Sequence, residues 1–208
     1  MLKRKSAPGL SLLALGLFAS GLITVLLVFT VHFCLITVAQ QASSGKDVPF
    51  GQTDRLAPFI PTPLDVVEKM LRLAEVDHTD TVYDLGSGDG RIVIMAAQKF
   101  GARTVGVELD DDLYQKSSDR IAELRLENKA KILHANMYEV DLRHATVVTL
   151  YLLTLVNERL RPILEKQLRS GARVVSHDFK VPGWEPTKVV EMTSENGVPH
   201  TIYLYIRP

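Results

Sequence analysis

A single cysteine, Cys34, in 208 residues excludes a disulfide framework and a cysteine-rich metal site. It lies in an apolar stretch, so it gives no reading of redox compartment. Net charge is also lacking: 24 Lys and Arg stand against 24 Asp and Glu. Residues 1–45 hold only Lys3, Arg4 and Lys5 and no acid, so the remainder carries 21 basic and 24 acidic side chains. That is no basic footprint, and no nucleic-acid partner is expected. There is no Gly-x-Ser-x-Gly elbow, against a hydrolase of that kind. His32, His78, His134, His144 and His200 show no ligand spacing, so no metal is expected. No internal repeat or low-complexity tract occurs.

What is present divides the chain in four. Residues 1–9 form a short basic tail. Residues 10–39 run for 30 positions without one formal charge, where about 20 apolar residues suffice to cross a bilayer. A cleaved signal peptide would need a core of only about 7–15 residues, so a retained single-pass anchor in contact with membrane lipid is the expectation. The basic tail places the N-terminus in the cytoplasm and would send the rest across, away from cofactors made in the cytosol. The side of the membrane, bacterial inner or mitochondrial inner, therefore stays open. Residues 40–58 are polar, with Ser43-Ser44-Gly45 and Pro49, and read as a linker.

Residues 59–208 can bury a real core. Thr62 is placed to cap a helix with Pro63 at its first position, running to about Ala74. Strand signals fall at Thr81–Leu85, Arg103–Leu109, Lys131–His134, Ala145–Tyr151 and Ala172–Phe179. Helical patterns lie between them at Gly90–Phe100, Asp110–Glu127 and Thr154–Arg169, the last broken or kinked at Pro162. Thr187–Met192 and Thr201–Ile206 flank Asn196-Gly197 and read as a closing hairpin. The alternation predicts a Rossmann-like α/β fold with a seven-strand, mostly parallel sheet and an antiparallel edge from the C-terminal hairpin. The stretch Val181–Pro186 leaves little room for a helix before the hairpin.

Asp84-Leu85-Gly86-Ser87-Gly88-Asp89-Gly90 follows the first strand and opens a helix. Glycines there allow a tight turn, a ligand against bare backbone and close helix–sheet packing. Glu108 lies 22 residues after Gly86, at the end of the second strand, where a carboxylate accepts from ribose hydroxyls. A dinucleotide loop reads G-x-G-x-x-G; this one reads G-x-G-x-G and carries Asp84 and Asp89, poor company for a pyrophosphate. The same carboxylates suit a ligand with an ammonium and a sulfonium.

This stretch resembles motif I of class I S-adenosylmethionine-dependent methyltransferases. By that resemblance Asp84, Gly86, Ser87, Gly88 and Gly90 lie along S-adenosylmethionine and Glu108 holds its ribose. Asn136 is placed to contact the adenine; Met137 packs on its face or in the core; and Pro61 and Thr62, just ahead of the first helix, are placed to cover the cofactor. Phe59-Ile60-Pro61-Thr62-Pro63, Ala172-Arg173-Val174-Val175-Ser176 and Trp184-Glu185-Pro186 extend the likeness over about residues 58–206. Together they are similar to a family of small single-pass methyltransferases. Its mitochondrial members methylate lysine in the c subunit of ATP synthase and in the adenine nucleotide translocase. On the acceptor side, the segments around Tyr151 and Val175–Phe179 look closer to bacterial relatives.

Ligands of open α/β sheets sit outside the C-terminal strand ends, which makes Tyr151, His177 and Asp178 the candidates for positioning the acceptor and taking its proton. Trp184 reads as packing or as an acceptor wall, Asn157 and Arg161 as polar surface or site. The function implied is methyl transfer to lysine on a protein near a membrane. The alternatives are a lipophilic small-molecule acceptor, a non-catalytic cofactor-binding module and a nicotinamide oxidoreductase.

Overall fold

The structure, a computed structural model, describes residues 59–208. The expected basic tail, apolar span and linker lie outside the described residues. Among those described, no helix is long and apolar enough to cross a membrane.

Short apolar runs make the central strands. β1 (Thr81–Leu85) and β4 (Val147–Leu150) are buried almost throughout, the pattern of parallel strands covered on both faces. With β2 (Arg103–Glu108), β3 (Ala130–His134), β5 (Arg173–His177), β6 (Lys188–Thr193) and β7 (Pro199–Ile206) they form one seven-stranded sheet in the order β3-β2-β1-β4-β5-β7-β6. All pairs from β3 to β5 are parallel. The closing hairpin forms as expected, but its return strand β7 docks antiparallel on β5 and leaves β6 outermost. The reason is in the side chains. β7 buries Ile202, Leu204 and Tyr205, whereas β6 shows an exposed or half-exposed surface headed by Lys188, as edge strands do.

One core face packs Leu85, Val107, Leu150 and Val174 against Leu160 and Leu164 of α4 (Thr154–Gln167). The other packs Val82, Val147 and Val175 against Val66, Met70 and Leu71 of α1 (Leu64–Leu73) and Ala96 of α2 (Arg91–Lys99). α3 (Asp111–Glu123) covers β3; its N-cap Asp110 accepts a hydrogen bond from the Leu113 amide at 3.1 Å.

Three helix expectations change. Pro63, not Thr62, is the N-cap of α1, with no side-chain cap bond; the Thr62 hydroxyl is turned to His177 instead. α3 stops at Glu123, short of Glu127, because Arg125 adopts a left-handed φ of 55°. α4 runs through Pro162 unbroken. Both Pro162 and Glu158, whose carbonyl loses its partner to the proline, are exposed, so water can take up the missing hydrogen bond.

No helix intervenes between β5 and β6, as the short Val181–Pro186 stretch implies. Trp184 packs edge-on against Tyr205, ring centroids 5.7 Å apart, and donates from Nε1 to Glu165. It is a packing residue on the far strands, away from the glycine turn. Asn157 is fully buried, not polar surface. Its Nδ2 donates to the carbonyls of Phe179 and Lys180, both at 3.2 Å, and so fixes the turn after β5.

Candidate active site

The turn after β1 is held mostly by its own protein. The Gly86 and Ser87 amides donate to the Val107 carbonyl, the Gly90 amide to the Ser87 carbonyl, and the Gly88 amide to Glu108 Oε2 at 2.7 Å. A phosphate site needs these N–H groups free; here they are spent. Gly88 has φ 55°, and a Cβ there would lie 2.3 Å from the Phe59 ring. Only a bare backbone leaves that space. Gly90 serves packing: a Cβ would sit 3.1 Å from Ser117 of α3.

A cavity of about 410 Å3 opens over this turn at the C-terminal strand ends. Asp84, Gly86, Ser87, Gly88, Glu108, Asn136, Met137, Thr62 and Tyr151 all line it. Gly90 and Pro61 are not among its walls, and neither are His177 and Asp178. Phe59, Ile60, Leu153 and Phe179 also line it. A larger, more open depression of about 1070 Å3 lies beside α2 and α3. It includes Asp89 but neither Asp84 nor Glu108, so the smaller cavity is the one where backbone and carboxylates converge.

The cavity is acidic, with Asp84, Glu108, Asp110 and Asp112 on its walls and Arg91 as its one cation. Arg91 is engaged: Nε and Nη2 donate to Asp89, and Nη1 donates to the Thr62 carbonyl at 2.8 Å. Asp89 is therefore paired with Arg91 rather than offered to a ligand. Burial pushes its carboxyl up, but the Arg91 hydrogen bonds and charge more than offset this and hold it below the usual range. Asp84 is the contrast. Fully enclosed, it accepts from the Thr149 hydroxyl at 2.7 Å on the paired strand. Burial pushes its carboxyl up to about 7, the Thr149 bond working against this and the charges of Glu108 and Asp89 adding to it. Glu108 accepts from Gly88, Leu109 and Asp110 amides. Asn136 is partly occupied, its Oδ1 accepting from the Tyr138 amide and its Nδ2 donating to Glu139. The donor set fits a positively charged nucleoside such as S-adenosylmethionine and disfavours a pyrophosphate.

Behind the cavity wall, Thr62 Oγ1 lies 3.2 Å from His177 Nδ1. His177 Nε2 lies 2.9 Å from His200 Nδ1 and 3.2 Å from Asp178 Oδ2, and His200 Nδ1 lies 3.0 Å from the same oxygen. Tyr151 packs on His177 with the rings tilted by 33° and centroids 4.0 Å apart. Burial drives His177 down to about 4, Asp178 working against this and His200 with it, so the imidazole is neutral. Burial, then the Asp178 charge, raises the Tyr151 phenol. Tyr151 forms part of the cavity wall. The His177, Asp178 and His200 atoms are close enough to hold a cation, an arrangement the sequence spacing of the histidines did not announce. Here they hydrogen-bond one another.

His200 escaped the sequence reading because only the β5–β7 register, His177 opposite Ile202, brings it to His177. Gly106 escaped too. A Cβ there would fall 2.6 Å from both Ser87 Oγ and Ile132 Cδ1, so this strand glycine makes room for the turn. Gly106→Ala is expected to destabilise the fold by about 1–3 kcal/mol, read as a lower urea midpoint with unchanged slope.

A family model described as the ANTKMT methyltransferase domain matches residues 84–188. A protein-lysine N-methyltransferase of Saccharolobus islandicus (strain REY15A) is 47% identical over 150 residues, 72% of this chain and 92% of that protein. The Mus musculus enzyme named as the lysine N-methyltransferase of the ATP synthase c subunit is 31% identical over 148 residues; the match covers 71% of this chain and 57% of the mouse protein. Among solved structures, an RNA methyltransferase from Salinibacter ruber in complex with S-adenosyl-L-homocysteine is 48% identical with a TM-score of 0.68. That match covers 72% of this chain and 94% of its own.

Proposed function

Since the chain belongs to the ANTKMT methyltransferase-domain family and is an S-adenosylmethionine-dependent methyltransferase, we propose that it methylates lysine on a protein at or in a membrane. The observation that carries this is the acidity of the cavity and its mouth. Four carboxylates face one cation that is already paired. A lysine ammonium is drawn to such a mouth, and a phosphate backbone is repelled. Residues 59–208 as a whole hold 22 acidic and 19 basic side chains, which speaks against RNA as acceptor despite the Salinibacter likeness.

The membrane half of the proposal has two supports. One is the uncharged run 10–39 ahead of the domain. The other is the rim: Phe59, Ile60 and Leu153 on the cavity wall, and Leu155 beside it on α4, are all more than 40% exposed. An apolar rim around an acidic opening suits a lysine carried on an apolar segment. The same rim favours a second reading, a lipophilic small-molecule acceptor.

When bound, S-adenosylmethionine supplies the methyl electrophile. The chain aligns the partners, which accounts for much of the rate of an in-line displacement. Glu108 and the glycine turn fix the nucleoside end, Asp84 faces the cationic end, and Tyr151 and Phe179 wall the approach of the amine. Incubating the enzyme with a membrane extract and methyl-labelled cofactor separates the acceptors. Label is expected in protein, on lysine by mass spectrometry, and to fall at least about tenfold with Glu108→Ala. Label in RNA or in the organic extract instead would overturn the lysine reading.

A further inference from the structure

We propose that Thr62, His177 and Asp178 form a proton exit from the acceptor amine, with His200 as its positioning residue. The inference rests on the lysine reading. A lysine arrives as an ammonium without a lone pair. One proton must leave before the N–C bond forms and the S–C bond breaks with its electron pair on sulfur.

Thr62 gives up the helix-capping role its sequence position offers. Thr62 lines the cavity, and its hydroxyl points to His177 Nδ1. His177 has no exposed surface, so what enters at Nδ1 can leave only through Nε2. That atom faces His200 Nδ1 at 2.9 Å and Asp178 Oδ2 at 3.2 Å. Asp178 is the one member open to water, its side chain 27% exposed. It is held on both sides, Oδ1 accepting from the Thr201 amide at 2.9 Å and Oδ2 lying 3.0 Å from His200 Nδ1. It also keeps a left-handed φ of 57°, a conformation uncommon outside glycine and retained where the surroundings enforce it. The balance is one proton in and one out: amine to Thr62 oxygen, Thr62 proton to Nδ1, Nε2 proton to Asp178, Asp178 to water. This path requires His177 to rest with Nε2 protonated and Nδ1 accepting from Thr62.

Asp178, His200 and Tyr151 are the titratable groups in contact with His177, and burial with the Asp178 charge raises the Tyr151 phenol. Two experiments on the full chain in detergent test the relay. Nitrogen-15 spectra of the histidines are expected to show His177 protonated at Nε2. A proton at Nδ1, or a one-to-one shift of His177 and His200 on adding zinc, would overturn it, the latter making the cluster a metal site. Kinetics with detergent-solubilised membrane protein at saturating cofactor form the second. Thr62→Val is expected to lower kcat about tenfold at neutral pH. The deficit should close toward pH 9.5 as free amine accumulates, with Thr62→Ser restoring the wild-type profile and cofactor affinity unchanged. A deficit equal at every pH would mean a structural role and sink the relay alone. If the wild type methylates no lysine, the lysine reading fails and the relay with it.

Discussion

Glu108→Gln is expected to weaken S-adenosylmethionine binding by at least about 100-fold, with the fold retained. The carboxylate takes three backbone amides, from Gly88 at 2.7 Å and from Leu109 and Asp110 at 2.9 Å. Both oxygens are needed as acceptors. Glutamine has one oxygen and one NH2, so either orientation sets an N–H against an N–H. The turn over which the nucleoside lies loses its tie to β2. In addition the ribose hydroxyls lose a charged acceptor. Hydrogen bonds to charged groups contribute about 1.5–3 kcal/mol each, and two of them already exceed a 100-fold change. Calorimetric titration measures the affinity and thermal melting the fold. A dissociation constant within about threefold of wild type would remove Glu108 from the site.

Asp84 gives the second large effect, through pH. Its folded value of about 7 lies above the ordinary 3.8. The unfolded chain therefore loses this proton first, and Asp84 makes the empty protein less stable as pH rises from about 4 to 7. Below the lower value the contribution is absent. His177 acts in the opposite sense. Its folded value of about 4 lies below 6.5, so its contribution to stability is lost as pH falls through that window. A cationic ligand favours the ionised Asp84 and expels the proton. Affinity is therefore expected to improve up to about tenfold per pH unit below 7 and to level off above it. Calorimetry at pH 6 in two buffers of different ionisation enthalpy should show proton release approaching one. Asp84→Asn should abolish the slope and lower affinity about 100-fold at pH 8. A slope that survives in this variant would assign the titration to another group.

These two carboxylates were legible in the sequence because their signal is local. A strand end, three glycines and an acid at the next strand end specify a backbone shape and a charge. The mostly parallel sheet with its antiparallel edge followed from alternating strand and helix patterns. What stayed illegible depends on pairing across the fold. Thr62 looked like a cap because Pro63 follows it; only the nearness of β5 claims its hydroxyl. Asn157 sits on a helix whose exposed neighbours disguise a fully buried amide. Asp89 carried the same charge as Asp84, yet Arg91 two residues on takes it out of the cavity. His200 lies 23 residues from His177, a spacing with no local meaning until two antiparallel strands lie side by side.

Arg91 has one more consequence. It grips Asp89 in the turn and the Thr62 carbonyl ahead of α1 at the same time. Floor and doorway of the cleft are thereby clamped into one mechanical piece. Any displacement of the glycine turn is therefore carried by one guanidinium to the segment that leads into α1.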